Sequence, residues 1–193
     1  MKVLMINGSR KEKGCTYTAL TLVGEELKAN GIDYEIIHIG KDALNENLNE
    51  TVKAVTAKLK EADGLVIGSP VYFASPSAEI QAVLDRVFMS AEADLRLKPA
   101  AAVISARRGG TTAALDVLNK YLTYTEMPVV SSRYWNMVHG NKPEDVMNDA
   151  EGVQIMQVLG RNMAWLLKCI EAGKNAGVAK PDAVKKTFTN FIR

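Results

Sequence analysis

Residues 2–18, KVLMINGSRKEKGCTYT, decide the fold of this chain, because an apolar run leads directly into a loop of glycine, hydroxyl and basic residues. The run at residues 3–6 predicts a strand, and the helical spacing of Leu20, Val23 and Leu27 predicts a helix after the loop. At the start of such a helix, free backbone N–H groups and the positive end of the helix dipole point at the same spot. The loop therefore predicts a bound cofactor that carries a phosphate group.

Four more apolar runs alternate with longer segments of helical spacing along the rest of the chain. The runs predict strands at residues 34–39, 65–67, 100–104 and 127–131, and the other segments predict helices around 52–59, 80–88, 115–122 and 155–170. Strict alternation of strand and helix is typical of a parallel sheet with helices on both faces. We therefore expect an α/β protein with a three-layer, flavodoxin-like fold and a five-stranded parallel sheet of order 2-1-3-4-5.

The composition indicates a soluble globular protein, since 47% of the 193 residues are hydrophobic and 24% are charged. The formal net charge of +2 gives no support to a nucleic-acid partner, which usually meets a strongly basic surface. Met1 and Lys2 lead directly into a strand pattern, and no apolar run reaches the roughly 18 residues of a membrane helix, so we expect neither a signal peptide nor a membrane partner. Two isolated cysteines favour the reducing cytoplasm.

The chain is expected to form one domain over residues 1–173, followed by a basic C-terminal extension over residues 174–193. The extension is either solvated or an arm that packs on a neighbouring subunit. The second alternative would cover Phe188, Phe191 and Ile192, which the first leaves exposed. Its charged residues are Lys174, Lys180, Lys185, Lys186 and Arg193, against Asp182.

In the predicted topology, the loops after strands 1, 3 and 4 meet at the carboxyl edge of the sheet. The first loop, residues 8–18, lacks the Gly-x-x-x-x-Gly-Lys-Ser/Thr and Gly-x-Gly-x-x-Gly patterns of common nucleotide-binding loops. The alternative for this stretch is a purely structural turn. Against that alternative, the loop concentrates hydroxyl donors and cations, namely Ser9, Thr16, Thr18, Arg10, Lys11 and Lys13.

The second loop, residues 68–77, contains two prolines that stiffen it, and Tyr72 and Phe73 lie at its tip. Ser75 or Ser77 is expected to cap the next helix. Rigid aromatic groups beside a phosphate site suit a flat heteroaromatic ring, although either aromatic residue would also serve to cover the sheet edge.

The third loop, residues 105–112, is rich in glycine and also contains two arginines. Gly109 and Gly110 let the backbone approach a ligand closely, and Thr111 or Thr112 is expected to cap the helix that follows. The arginines are either solvated in a surface turn or hold a carbonyl or phosphate group of a transient substrate. Together the three loops fit flavin mononucleotide (FMN), with the phosphate on the first loop and the ring between the second and third.

The first loop resembles that of one branch of the flavodoxin-like superfamily, which contains NADPH-dependent FMN reductases and iron–sulfur flavoproteins. Residues 8–16 resemble the branch's phosphate loop, Gly-Ser-Pro-Arg-x-x-Gly-Asn-Thr. Here Arg10, Lys11 and Cys15 stand at its Pro, Arg and Asn, and the thiol puts one phosphate hydrogen bond in doubt because it is a weak donor.

The other two loops extend the resemblance to about residues 2–170. Residues 68–73, with the Asp-Arg pair at 85–86, resemble the branch's Ser-Pro-Val-Tyr-Phe…Asp-Arg segment closely. Residues 105–111 occupy the place of its third, glycine-rich loop. Iron–sulfur members carry a cysteine cluster between strands 2 and 3, but residues 40–50 contain no cysteine, so we predict no iron–sulfur centre.

The resemblance implies FMN as the cofactor and NADPH or NADH as a transient substrate. It implies no catalytic acid or base and no metal ligand, because in such enzymes the cofactor carries the hydride chemistry. The implied cofactor-binding residues are Ser9, Arg10, Lys11, Cys15, Thr16, Tyr17 and Thr18 in the first loop, Pro70, Val71, Tyr72 and Phe73 in the second, and Ser105, Arg107, Arg108, Gly109, Gly110 and Thr111 in the third.

The implied activity is that of an FMN-dependent NAD(P)H oxidoreductase. Such an enzyme would pass electrons to a small acceptor, such as a quinone, a flavin or a nitroaromatic, by a ping-pong mechanism. A flavodoxin-type electron carrier and a flavin-binding sensor without turnover are the alternatives.

Related flavin reductases assemble as dimers or tetramers, so we expect a homodimer or homotetramer. The loop after the fifth strand either covers the ring with Trp135 and His139 or uses both residues for packing.

Overall fold

The computed structural model describes residues 1–191, without the side chains at positions 41 and 42. Ile192 and Arg193, which belong to the predicted extension, lie outside the described residues. The elements are β1 (Lys2–Asn7), α1 (Cys15–Ala29), β2 (Asp33–His38), a 3-10 helix (Lys41–Leu44), α2 (Leu48–Glu61), β3 (Gly64–Tyr72), β4 (Ser75–Pro76), α3 (Ala78–Ser90), α4 (Glu92–Leu95), β5 (Ala100–Ala106), α5 (Thr111–Tyr124), β6 (Met137–His139), α6 (Pro143–Asn148) and α7 (Ala150–Asn175).

The sheet contains five parallel strands in the order β2-β1-β3-β5-β6, and β4 pairs with β3 in the antiparallel direction. The α/β class is confirmed. The strand count and order differ slightly from the prediction, because the short antiparallel β4 is a sixth strand between β3 and β5 in the chain and turns the predicted order 2-1-3-4-5 into 2-1-3-5-6. Asn7 lies in register with Gly68, and Pro70 lies in register with Ser105. The carboxyl ends of β1, β3 and β5 are therefore neighbours at one edge of the sheet.

The central strands bury both of their faces, because successive side chains point alternately into two layers of helices. In β1, Val3 and Met5 belong to the core beneath α1 and α7. Leu4 and Ile6 belong to the core beneath α2, α3 and α5. This two-sided burial explains why the strands appear in the sequence as continuous apolar runs.

The prediction of the fifth strand was wrong in position. The predicted segment at 127–131 makes only an isolated bridge, between Val129 and Ala100. The chain then leaves the sheet and returns as β6, which pairs with the end of β5. Pro128 has no N–H to donate, so a regular ladder does not continue through this segment, and the short β6 has no apolar run that would announce it.

Helices α1 and α7 cross closely on one face of the sheet. A Cβ atom on Gly160 of α7 would lie 2.6 Å from the carbonyl oxygen of Val23, so glycine permits this approach. Across the same contact, Arg161 donates two hydrogen bonds of 2.9 Å to the Glu26 carboxylate. The crossing holds α1, and with it the loop before α1, against the sheet.

Helix α7 ends at Asn175, and residues 176–191 follow without helix or strand. The helix spans the expected boundary, so we propose that the domain over 1–173 passes into the extension over 174–193 within the last turn of α7. Across residues 1–191, none of the helices is both long and apolar enough to cross a membrane.

Candidate functional site

The side chain of Asn7, at the end of β1, shapes the first loop from inside. It is fully buried. Its Oδ1 accepts a hydrogen bond of 3.1 Å from the Ser9 N–H, and its Nδ2 donates one of 2.8 Å to the Glu12 carbonyl. The Ser9 hydroxyl in turn accepts one of 3.1 Å from the Lys11 N–H. These bonds fold the loop back on itself before α1 begins.

Neighbouring elements hold the same loop from outside. His38, at the end of β2, donates from Nε2 to the Ser9 carbonyl at 2.7 Å. Ser77, before α3, donates to the Gly8 carbonyl at 2.7 Å, and the Gly8 N–H donates to the Gly68 carbonyl at 2.8 Å. The loop is therefore a fixed part of the sheet edge.

The first turn of α1 presents backbone N–H groups at the end of this loop. Its N-cap residue is Gly14, which has no side chain with which to accept hydrogen bonds from that turn. The positive end of the helix dipole lies at the same place, and the side chains of Lys11 and Lys13 are exposed beside it. This arrangement fits a phosphate group, which would supply the acceptors that the cap lacks.

Arg10 links the first loop to α3. Its Nε donates to the Glu79 carboxylate at 2.6 Å, and the Glu79 side chain is only 2% exposed while that of Arg10 is 60% exposed. The ion pair raises the pKa of Arg10, which stays charged. A buried carboxylate thus holds a cation at the mouth of the site.

The second loop is a β-hairpin. Strand β3 continues through Pro70 and Val71 to Tyr72, and Tyr72 pairs with Ser75. Phe73 and Ala74 form the two-residue turn with φ angles of 50° and 59°, a left-handed conformation that is costly for residues other than glycine. Because Phe73 is fully exposed, the strained turn displays an aromatic ring to solvent.

The third loop packs against this hairpin through Gly110. Gly110 has a φ of 95° and is the N-cap of α5, so the expectation that Thr111 or Thr112 caps this helix was wrong. A Cβ atom on Gly110 would lie 2.9 Å from the Ala74 Cα, whereas one on Gly109 would meet nothing within 4 Å. Gly110 is therefore the glycine that lets the two loops touch.

Ser105 and Thr16 connect the third loop to the first. Their hydroxyl groups are 2.8 Å apart and buried. Each hydroxyl is thus engaged with the other, and this bond ties α1 to the end of β5. Thr18 also bonds internally, to the Gly14 carbonyl at 3.4 Å.

Cys15 lies in the first turn of α1 and faces the loop after β6. Its Sγ donates to the Gly140 carbonyl at 3.5 Å. Burial raises the pKa of this thiol, so Cys15 is not an activated thiolate at neutral pH. The other cysteine, Cys169, is exposed near the end of α7, where Leu167 and Ile170 line a groove with Met1 and Pro99 at the opposite, amino edge of the sheet.

Trp135 and His139 are held by different neighbours. Trp135 precedes β6 and is 56% exposed, and its ring meets that of Tyr134 edge to face at 4.9 Å. His139 ends β6, and its backbone N–H and its Nδ1 face the Asp149 carboxylate at 2.7 and 3.6 Å. Asp149 in turn caps α7, so His139 is anchored to that helix rather than free to move over the edge.

The structure thus brings the three predicted loops together, and their residues differ in the contacts that they make. Tyr17 is half-buried in the first turn of α1, and Arg107 and Arg108 are exposed beyond β5. Asn7 and His38 were not predicted as site residues, because each follows an apolar run and resembles an ordinary strand end. The polar residue at a strand terminus was the available signal for both.

A family model described as NADPH-dependent FMN reductase matches residues 1–142 of this chain. An iron–sulfur flavoprotein of Methanocaldococcus jannaschii is 29% identical over 195 residues, which cover 89% of this chain and 100% of that protein. The FMN reductase (NADPH) of Escherichia coli is 29% identical over 153 residues, which cover 75% of this chain and 74% of that protein.

Solved structures share the fold at lower sequence identity. The flavoenzyme NAD(P)H:(acceptor) oxidoreductase FerB of Paracoccus denitrificans has a TM-score of 0.69 and 15% identity, over 87% of this chain and 97% of that chain. Flavodoxins are also among the structures that share this fold. The flavodoxin-like character expected from the strand order is therefore confirmed.

Proposed function

This chain belongs to the NADPH-dependent FMN reductase family, and we propose that it passes electrons from NADPH or NADH, by way of FMN at the carboxyl edge of its sheet, to a small acceptor such as a quinone, a flavin or a nitroaromatic. The observation that carries this proposal is the first turn of α1. Its cap, Gly14, offers no side-chain acceptor, and the rigid loop before it bears Arg10, Lys11 and Lys13.

The first loop and α1 would hold the phosphate through backbone N–H groups and through the hydroxyl of Ser9. Residues 70–73 and 105–111 would flank the ring. We keep the residues named from the resemblance as the proposed binding set, with Thr16 and Ser105 acting through their bond to each other. The two strained residues at the hairpin tip support a role for this loop, because such conformations cluster at functional sites.

Bound FMN supplies a group that takes up the hydride of the nicotinamide and yields electrons to the acceptor. The protein binds and orients the cofactor and the substrates, and no side chain is assigned as an acid or base. The exposed arginines Arg107 and Arg108 lie beside the proposed ring site, where they would meet the negative charge of NADPH. The overall balance is NAD(P)H + H⁺ + quinone giving NAD(P)⁺ + hydroquinone.

We further propose a ping-pong order, in which the nicotinamide leaves before the acceptor enters the same opening. The test is steady-state oxidation of NADPH by the FMN-loaded protein at several fixed concentrations of menadione. Parallel double-reciprocal lines support the proposal, and intersecting lines contradict the ping-pong order. Binding of FMN without any turnover would instead favour an electron carrier.

An iron–sulfur centre is not part of the proposal. The archaeal relative carries that name, but clusters of this kind are held by four cysteine thiolates or by two with two histidines. This chain has two cysteines and two histidines in all. Cys15 and Cys169 lie at opposite edges of the sheet, so they would not bind one cluster.

We also propose that the protein is a cytoplasmic homodimer or homotetramer.

A further inference from the structure

A cavity of about 460 Å³ lies at the amino edge of the sheet, opposite to the three loops. Met1 precedes β1, Asp63 precedes β3 and Pro99 precedes β5, and the end of α7 forms another side of the cavity. We call it the amino-edge groove. Its volume is typical of small-molecule sites, and none of its described lining residues belongs to the loops proposed to hold FMN.

The amino-edge groove brings together lysines from separate parts of the chain. Lys60 lies at the end of α2, Lys98 lies before β5, Lys174 lies in the last turn of α7, and Lys180 lies in the extension. None of the four forms an ion pair with another residue in the described part of the chain. The acidic residues of the lining are Glu61, Asp63 and Glu171. Four lysines against three carboxylates leave one positive charge in excess.

Lys98 is the most enclosed of these lysines, since it is half-buried while the other three are exposed. Its Nζ donates to the Leu59 carbonyl near the end of α2. Burial lowers the pKa of Lys98, and the charge of Lys180 lowers it further. Asp94 and Asp63 act in the opposite direction without restoring it. Lys98 and Lys180 therefore repel one another, and an anion between them would be attracted by both.

The extension is anchored beside the groove. Arg96 donates to the carbonyls of Pro181 and Asp182 at 2.9 and 3.2 Å. The Nε of Arg96 also pairs with Glu126 at 2.8 Å, which holds the guanidinium in place. Because the two anchored residues directly follow Lys180, the backbone that carries this lysine is fixed at the groove.

The backbone of the lining is strained at Leu97. This residue has a φ of 64°, and its N–H donates at 3.2 Å to the carbonyl of Glu126, which has a φ of 57°. In the described part of the chain, the hairpin tip at Phe73 and Ala74 has the other non-glycine residues of positive φ. Such conformations cluster at ligand sites, so the amino-edge groove has the same mark as the proposed flavin site.

The apolar part of the lining indicates what kind of anion fits. Its apolar residues are Met1, Ala62, Leu97, Pro99, Leu167 and Ile170. We call them the aliphatic wall. None of the described lining residues is aromatic, so the groove offers no ring on which a flat ligand would stack. An alkyl chain gains free energy by burial against this wall, and the three carboxylates disfavour a doubly charged phosphate.

We propose that the amino-edge groove binds a small alkyl carboxylate, with its carboxylate between Lys98 and Lys180 and its chain on the aliphatic wall. Lys60 and Lys174 would add attraction from the rim. The first residues of the extension are then part of a ligand site rather than a solvated tail. This site is separate from the flavin site, so it does not depend on FMN binding or turnover.

The first experiment is a calorimetric titration of the full chain with octanoate and with 1-octanol. Excess FMN is present, so that the carboxyl edge of the sheet does not compete for the probe. We expect octanoate to bind with a Kd of about 1 mM or lower, and 1-octanol, which lacks the charge, to bind at least about 10-fold more weakly. Absence of octanoate binding, or equal affinity for both probes, overturns the proposal.

The second experiment repeats the octanoate titration with three variants. Lys180→Met removes a charge from an exposed side chain outside the helices and strands, so the fold is kept and the affinity falls by about 3- to 10-fold. Lys98→Met removes the half-buried charge, and the affinity falls by at least about 10-fold. The control is Lys120→Met, an exposed change on α5 outside the groove, which leaves the affinity unchanged. An unchanged affinity in Lys180→Met contradicts the proposal even if Lys98→Met does not fold.

The third experiment locates the probe on the unaltered protein. Lysines are acetylated with an N-hydroxysuccinimide ester, with and without saturating octanoate, and the labelled peptides are quantified by mass spectrometry. Labelling of Lys98 and Lys180 falls several-fold with octanoate, while that of Lys120 and Lys168, both exposed elsewhere, stays the same. Equal labelling of Lys98 and Lys180 in both samples overturns the proposed site, and assays of NADPH oxidation on the same protein report on the flavin chemistry separately.

Discussion

At the scale of single residues, the site depends on buried polar groups that bond to one another rather than to solvent. The hydroxyls of Ser105 and Thr16 are an example, 2.8 Å apart beneath the sheet edge. Both residues are implied as direct FMN contacts by the resemblance. Their geometry instead indicates a structural bond that fixes the first turn of α1, where the phosphate would bind.

This bond can be tested by a double-mutant cycle. Ser105→Ala leaves the buried Thr16 hydroxyl without its partner, so the free energy of unfolding falls by about 1–2 kcal/mol. Thr16→Val should cost a similar amount, and the two changes together should cost less than their sum. Urea denaturation measures all three values, and strictly additive costs would show that the hydroxyls do not interact.

The pair of Arg10 and Glu79 leads to a prediction on ligand selection. Glu79→Gln removes the charge that holds Arg10 at the site, so the affinity for FMN falls by about 3- to 10-fold while the affinity for riboflavin is unchanged. Calorimetric titration with both flavins measures the difference. Glu12→Gln, an exposed change in the same loop, is the control, and an equal loss for both flavins would argue against a role in phosphate binding.

At the scale of elements, the contact between the second and third loops depends on one glycine. Gly110→Ala forces a Cβ atom to within 2.9 Å of the Ala74 backbone at a φ of 95°. We expect a loss of about 2 kcal/mol in the free energy of unfolding and weaker FMN binding, because the hairpin must move.

Gly109→Ala provides the matched control for that change. Its new methyl group meets nothing within 4 Å, so stability and FMN affinity should stay within about 0.5 kcal/mol of the wild type. Thermal unfolding and fluorescence titration of both variants give the comparison. If the two variants have the same stability and FMN affinity, the contact between the hairpin and the third loop does not depend on Gly110.

The elements that could be predicted from the sequence are those whose apolar pattern lies within a single segment. The helices α1, α3 and α7 and the strands β1, β3 and β5 have apolar patterns that one segment displays by itself. The hairpin was missed because Pro70 interrupts the strand pattern, although the proline lies where β3 is paired. The fifth strand was misplaced because its pairing with β5 depends on a distant segment. The Asn7 network could not be predicted for the same reason.

For the molecule as a whole, two half-buried tyrosines make stability depend on alkaline pH. Burial, together with a hydrogen bond to Glu25, raises the pKa of Tyr34 to about 12. Burial and a bond to Asp85 also raise the pKa of Tyr121. Because the unfolded chain loses these protons near pH 10, the stability that the two tyrosines contribute is fully present below pH 10 and is lost as the pH rises towards 12.

Replacement of the first tyrosine tests this pH dependence. In Tyr34→Phe, the decline of the unfolding free energy between pH 10 and 12 should be shallower than in the wild type, although the variant is less stable at pH 8. Chemical denaturation at a series of pH values measures the slope. An identical slope in both proteins would mean that Tyr34 ionises equally in the folded and unfolded chain.

The proposed function depends on the carboxyl edge of the sheet holding FMN by its phosphate. The most direct measurement is a calorimetric titration of the flavin-free protein with FMN and with riboflavin. We predict one FMN per chain with a Kd of about 1 µM or lower, and riboflavin bound at least about 30-fold more weakly because it lacks the phosphate. Failure to bind FMN, or equal affinity for both flavins, would contradict the account.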